Sequence, residues 1–583
     1  MTLTPPGLTS DDEQAVLAMA DRIDRSVHAG IARATGGLSP AAIGGAWADW
    51  LTHMSISPGR QYWLAWKGAH KATRYAEYLG RSFSDATPIV EPAHEDHRFT
   101  DPAWQAWPFN AYQQAFLSWQ QWVHNATTGL RGVSTPHERI IAFMARQMLD
   151  TIAPSNFLPT NPVVLQRSFA ESGANLLRGA SHLVADLKAN ADAQHHGTAN
   201  PAVGDTVAIS PGQIVFRNRL IELIQYTPTT AEVHPEPVLI VPAWIMKYYI
   251  LDLSEQNSLV RYLVSRGFTV FMISWHNPNQ KDRDLQMEDY LRLGVMAAID
   301  AACAITGAKT LHATGYCLGG TLLTIAAAAM ARDTDLRLRS LTLLAAQNDF
   351  TEAGELTLFI NDSQLAMLED MMLDQGYLEA RQMAGAFQML HSNDLIWSHI
   401  IQSYMLGEAD RQNDLMAWNA DATRMPARMH AQYLRQLFLE NDLAEGRYKV
   451  ADRPVAVSDI NTPIFAVGTV TDHVAPWRSV FKIHLLTDAE ITFVLTSGGH
   501  NAGIVSEPGH RGRSFQLMTR PALGLYVPPE TWTTTAPRET GSWWVSWNDW
   551  LTERSGPPVP APAMGGPGYE TLGAAPGHYV KEA

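Results

Sequence analysis

Cysteine is nearly missing from this sequence: Cys303 and Cys317 are the only two in 583 residues. So few, and so close together, they exclude a disulfide-stapled scaffold, and a reducing, cytoplasmic setting is the simpler expectation. Long apolar runs are missing too, none reaching the roughly 18 residues of a membrane span. The start, MTLTPPGLTSDDEQ, has no basic stretch followed by an apolar core, so no secretory signal is expected. Contact with a lipid or polymer phase is therefore expected to be peripheral. An excess of basic residues is the third absence. The formal net charge is -15, which argues against general nucleic-acid binding, while a local basic patch for small anions survives a negative total. No internal repeat is evident.

What is present is a chain with 46% hydrophobic residues, enough for well-packed cores and too long for one typical domain. Up to about residue 202 the apolar positions recur three and four apart, as in AIGGAWADWLTHM and ERIIAFMARQMLDTI, which predicts a helical N-terminal domain over 1–202. Trp47, Trp50, Trp63, Trp66, Trp104, Trp107, Trp119 and Trp122 lie in it. Core and inter-helix packing is the first reading of these rings, an interaction surface the second. HHGTANPAVGDTVAISPG marks a boundary. Beyond it, over 203–583, short β-branched runs alternate with helical patterns: PVLIVPAW, FTVFMISW, KTLHATGY, SLTLLAA, PIFAVGTVTD and ITFVLTSGG. That alternation predicts an α/β domain with a mainly parallel sheet covered on both faces. The Met-rich stretch from about 350 to 440 shows no strand of its own and reads as a helical cap insertion. The Pro/Gly/Ala-rich end, about 555–583, reads as an irregular tail.

ATGYCLGGT, residues 313–321, carries the chemistry. A short strand, a G-x-Cys-x-G turn and a small-residue helix form the context of the nucleophile elbow of α/β-hydrolases. The turn has no room for a Cβ at Gly315 or Gly319, and the helix N-terminus beside Cys317 favours thiolate. Read blandly, Cys317 would be a small buried hydrophobe; Cys303, inside a helical pattern, is read that way. In this fold an acid and then a histidine follow on loops after later strands. Asp472 ends PIFAVGTVTD and His500 follows ITFVLTSGG. His473 and His510 are the alternatives nearby, and neither directly follows the last strand. Oxyanion donors are expected from the backbone N–H of Leu318 and of Trp244 or Ile245, in the loop after the first of these strands.

The wording VPAWIMKYYILDL, ISWHNPN, GYCLGGTLL, WNADATRMP, DHVAPW, GGHNAGI and GSWWVSWNDWL, with DHRFTDPAWQAWPFN and APSNFLPTNPVVL ahead of it, resembles class I polyhydroxyalkanoate synthases over nearly the whole chain. The resemblance implies polymerisation of (R)-3-hydroxyacyl-CoA into a polyester with release of CoA, a homodimer at the surface of cytoplasmic storage granules, contacts with granule-associated proteins, and no metal or tightly held cofactor. It implies acylation of Cys317, with His500 as base and Asp472 as acid or as base for the 3-hydroxyl. A preference for short acyl chains is expected on the same ground. His276 and Asn279 stand where that family commonly has Arg and Asp, Gln347 and Asn348 replace a more apolar approach to Asp349, and Gly499 and Asn501 stand where Ser and an apolar residue are usual. A cysteine-dependent hydrolase or intracellular depolymerase is the second reading, and a non-catalytic granule protein the third.

Overall fold

The computed structural model describes residues 10–83, 87–93, 96–195, 202–380, 382, 396–408 and 414–583. By contact the chain forms two compact units, residues 1–37, 198–384 and 412–583 in one and 38–197 with 385–411 in the other. The chain thus changes unit at 197/198, and also at 37/38. The first helix, Ser10–Ala34, packs on helix Asp362–Gln375, where His28 Nδ1 lies 2.8 Å from Asp370 Oδ2. Part of the expected cap interval belongs to the helical unit for a similar reason. Tyr404 donates its hydroxyl to Asp186 (2.8 Å), and Asn175 donates to the Met405 carbonyl (2.7 Å).

The helical unit is built from Pro40–Ser55, Pro58–Arg81, Phe109–Thr127, Thr135–Thr151, Pro162–Ala170 and Ala174–His195. Ser39, Ser134 and Asn161 cap three of these helices through their side chains, with a proline, which has no donor to satisfy, at the first or second helical position. Phe99, Trp104, Phe116, Leu117, Leu149 and Ala153 form its main core. Of the tryptophans, Trp104 is buried, Trp50 and Trp122 donate their indole N–H groups to the carbonyls of Ala126 and Leu64, and Trp66, Trp107 and Trp119 are exposed. Core and inter-helix packing thus describes Trp104, Trp50 and Trp122, while Trp66, Trp107 and Trp119 face outward.

The larger unit is built around an eleven-stranded sheet. Its strands are Gly212–Arg217 (β1), Ile221–Tyr226 (β2), Val238–Val241 (β3), Val270–Trp275 (β4), Leu311–Tyr316 (β5), Leu338–Leu344 (β6), Ile464–Thr469 (β7), Ile491–Thr496 (β8), Ser514–Arg520 (β9), Arg538–Thr540 (β10) and Gly573–Ala574 (β11). They lie in the order β10-β9-β8-β7-β6-β5-β3-β4-β2-β1-β11. The middle of the sheet, from β8 across to β4, is parallel, and antiparallel strands extend both edges. The central strands are buried on both faces, which is why β3 and β4 read as nearly continuous apolar runs rather than alternating ones.

Strand order reverses at β3, which connects to β4 on one side and pairs with β5 on the other. Loops leaving the carboxyl ends of β3 and β5 diverge there, and such a switch point opens a crevice. Between β6 and β7 the cap interval is mostly helical, as expected, with a two-residue strand pair, Tyr377–Leu378 with Met425–Pro426, that the sequence did not suggest. Its residues 381, 383–395 and 409–413 lie outside the described set. The tail is more ordered than its composition implies. It supplies edge strand β11, buries Val580, and sends the N–H groups of His578 and Tyr579 to the buried Glu222 carboxylate (2.8 and 2.9 Å). No helix among the described residues is long and apolar enough to cross a membrane.

Candidate active site

β5 ends at Tyr316, and Cys317 occupies the turn into helix Leu318–Arg332 with φ 52° and ψ -124°. A positive φ at a non-glycine residue costs about 1–3 kcal/mol, so the surroundings must impose it. They do so by crowding. A Cβ on Gly319 would overlap the Val241 carbonyl oxygen and stand 2.6 Å from that of Pro242, and a Cβ on Gly315 would come within 2.7 Å of the Gly320 nitrogen. The register Val241↔Gly315 brings the end of β3 alongside. The Cys317 N–H donates to Leu344 O of β6 (2.9 Å), and the Cys317 carbonyl accepts from the Gly320 N–H (2.9 Å), starting the helix. Cys317 is left at 8% exposure. Cys303 is half-buried in helix Ala297–Thr306 and packs against the core.

Asp472 lies in the loop after β7. Its Oδ1 accepts from the N–H groups of Val474 (2.9 Å) and Ala475 (2.8 Å), and its Oδ2 accepts from Thr469 Oγ1 (3.0 Å). Oδ2 also meets His500 Nδ1 at 2.8 Å, with the carboxylate wholly buried. His500 follows β8 on a tight turn in which the Gly503 N–H donates to Gly499 O (2.8 Å). Burial opposes the charged imidazolium, but the Asp472 carboxylate and the charge and hydrogen bond of Cys317 outweigh it, holding the His500 pKa well above the ordinary histidine value. Cys317, His500 and Asp472 thus share one electrostatic site. His510 instead pairs with Glu507 (2.7 Å) near the surface, and His473 is not the histidine that meets Asp472.

The loop after β3 runs past the elbow. Its carbonyls are engaged, that of Ile245 by the Thr423 N–H (3.0 Å) and that of Trp244 by Thr423 Oγ1. The N–H groups of Trp244, Ile245 and Leu318 donate to no partner among the described residues. Donors left free in a buried site are what an oxyanion requires. The cap residue Tyr433 packs edge-on against Trp244 with ring centroids 6.1 Å apart, and the negative charge of Cys317 adds to burial in raising its phenol pKa. Sequence reasoning missed Tyr433, and also Tyr316, whose buried hydroxyl donates to Asn501 Oδ1 at 2.6 Å. No motif announces either one. The unusual His276 makes ion pairs with Asp282 (3.2 Å) and Glu582 (2.7 Å), and Asn279 caps a short helix that includes Asp282.

Residues 95–263 match the family described as poly-beta-hydroxybutyrate polymerase (PhaC) N-terminus, residues 18–60 match poly-beta-hydroxybutyrate polymerase N terminal, and residues 236–507 match the alpha/beta hydrolase fold. The chain is 39% identical over 536 residues to a poly(3-hydroxyalkanoate) polymerase of Methylorubrum extorquens, spanning 89% of this chain and 88% of that protein. It is 37% identical over 514 residues to the poly(3-hydroxyalkanoate) polymerase subunit PhaC of Rhizobium meliloti (87% and 83%) and 34% identical over 500 residues to that of Cupriavidus necator (84% and 83%). On an α/β-hydrolase fold with a cysteine at its nucleophile elbow, and with this extent of likeness, the chain belongs to the poly(3-hydroxyalkanoate) polymerase family of acyltransferases.

Proposed function

We propose that the protein polymerises (R)-3-hydroxyacyl groups from their CoA thioesters through a covalent acyl-Cys317 intermediate. The observation that carries this reading is the Cys317 elbow facing a His500–Asp472 pair whose Nδ1···Oδ2 separation is 2.8 Å. His500 takes the Cys317 proton, and Sγ attacks the thioester carbonyl. The carbonyl oxygen becomes an oxyanion held by the N–H groups of Leu318 and of Trp244 or Ile245. The carbon–sulfur bond to CoA breaks, and CoA leaves as a thiol carrying the proton from His500. One thioester has replaced another of similar energy, so the acyl group stays activated; a serine at this position would trap it as a less reactive ester. The 3-hydroxyl of the next hydroxyacyl-CoA then attacks the acyl carbon while His500, oriented by Asp472, or Asp472 itself takes its proton; the bond to Cys317 Sγ breaks, the proton returns to the sulfur, and the lengthened chain leaves as a CoA thioester that Cys317 takes up again in the next round.

Water in the site would end chains by hydrolysis, and cap residues such as Tyr433, packed on Trp244, help exclude it. The reading includes a homodimer working at the surface of cytoplasmic polyester granules, with granule proteins as partners and no cofactor beyond the CoA of the substrate. The test is to incubate the purified protein with (R)-3-hydroxybutyryl-CoA, a short-chain substrate, and to follow CoA thiol, turbidity and free acid together. CoA with polymer supports the polymerase reading. CoA with free 3-hydroxy acid alone would favour a hydrolase, and no CoA with any chain length would favour a non-catalytic granule protein.

A further inference from the structure

The nucleophile and its base sit on separate loops, and a hydrogen bond ties these loops together. Tyr316 immediately precedes Cys317, and Asn501 immediately follows His500. The Tyr316 hydroxyl, on a side chain only 1% exposed, donates to Asn501 Oδ1 at 2.6 Å. The Tyr316 ring lies 5.7 Å from the His500 ring, and burial together with the charges of Cys317 and Asp472 raises its phenol pKa far above normal, so the hydroxyl remains a donor. The Asn501 backbone is fixed as well. Its carbonyl accepts from the N–H groups of Ile504 (3.1 Å) and Val505 (2.9 Å). Indole N–H groups of Trp543 and Trp544 hold the carbonyls of Gly503 (3.0 Å) and Ile504 (2.9 Å). His500 is thereby held on its far side by Asp472 and at its own backbone by a neighbour anchored to the nucleophile strand.

We infer that Tyr316 and Asn501 are positioning residues that set the His500 imidazole against Cys317. This rests on the reading that His500 activates Cys317. An apolar residue at 501 would leave the Tyr316 hydroxyl buried without that acceptor, a need that the Asn501 amide oxygen meets. Displacement of a reacting group by about 1 Å commonly costs on the order of a hundredfold in rate, whereas loss of an ordinary packing contact spares the chemistry.

The experiment uses the whole protein and two readouts. The first is the rate of Cys317 alkylation by iodoacetamide against pH, with Cys303→Ala as the background so that one thiol reports. The second is kcat and KM for (R)-3-hydroxybutyryl-CoA. Tyr316→Phe removes one oxygen and is the variant least apt to disturb folding; Asn501→Leu and the double variant complete a cycle, with His500→Gln as reference. The inference expects Tyr316→Phe and Asn501→Leu each to lower kcat at least tenfold with little change in KM, and to move the alkylation profile toward that of His500→Gln. It expects the double variant to be no worse than the poorer single one. Additive losses, or alkylation profiles that superpose on the parent while thermal stability falls, would overturn it and leave a merely structural bond. If His500→Gln itself leaves the profile unmoved, the failure belongs to the Cys–His reading beneath it.

Discussion

Replacing Asp472 by asparagine tests how His500 is oriented, because the carboxylate's partners are all accounted for. The asparagine carbonyl oxygen can take the place of Oδ1 and accept the N–H groups of Val474 and Ala475, so the loop should keep its shape. The amide nitrogen then falls where Oδ2 stands, opposite Thr469 Oγ1 and 2.8 Å from His500 Nδ1. The threonine hydroxyl can rotate to accept. The imidazole can accept only by giving up its Nδ1 proton, which forces the proton onto the nitrogen that should receive one from Cys317. A wrong tautomer of this kind lowers kcat about 10⁴-fold in a serine triad. A thiol needs its base less, so a loss of about 10²–10³-fold is expected here, which is about 3–4 kcal/mol of barrier. Folding stability should change by only about 1 kcal/mol, the net worth of a hydrogen bond. The assay is steady-state CoA release from (R)-3-hydroxybutyryl-CoA, paired with a urea unfolding midpoint. A kcat within threefold of the parent, in a variant of unchanged stability, would refute the orienting role.

Other substitutions address the frame around the site. Gly319→Ala places a methyl group into the Val241 and Pro242 carbonyls, so we expect a loss of about 3 kcal/mol or more in urea unfolding; a variant as stable as the parent would contradict the tight-elbow geometry. For His276, burial opposes the charge but the hydrogen bonds it donates to the Asp282 and Glu582 carboxylates, with their charges, raise the pKa from 6.5 to about 9. The folded value lies above the unfolded one, so the stabilisation is fully present below pH 6.5 and is lost as pH rises through 9. It is on the order of 2 kcal/mol, and His276→Gln should flatten the stability curve across that window; parallel curves for parent and variant would show that the ion pairs contribute nothing.

The site was legible in the sequence to the extent that local chemistry announces it. A strand, a Gly-Tyr-Cys-Leu-Gly turn and a small-residue helix can do little else together, and an acid and a histidine each ending an apolar run follow from the fold's rules. The six quoted runs correspond to β3 to β8 because strands buried almost throughout are rich in apolar and β-branched residues. The outer strands β1, β2, β9, β10 and β11 escaped notice; β1 and β9 mix buried with open positions, β10 and β11 are short and exposed, and β2 carries the buried polar residues Glu222 and Gln225, which take partners from the distant tail. Tyr316 and Asn501 lie 185 residues apart in sequence, and nothing local marks the one as the other's partner. The tail's order is likewise invisible in a Pro/Gly-rich composition, since it comes from docking on Glu222 and Lys247, the latter donating to the carbonyls of Tyr579 (3.0 Å) and Glu582 (2.7 Å).

The central claim is that the growing acyl group resides on Cys317. The most direct test is to mix the protein with (R)-3-hydroxybutyryl-CoA, quench within the first turnovers, and determine the mass of the peptide that contains Cys317. The account predicts a hydroxyacyl adduct on that peptide which hydroxylamine removes, and neither adduct nor CoA release in Cys317→Ala. CoA release at the parent rate from Cys317→Ala, or polymer formation with an unmodified Cys317 peptide at every quench time, would contradict it.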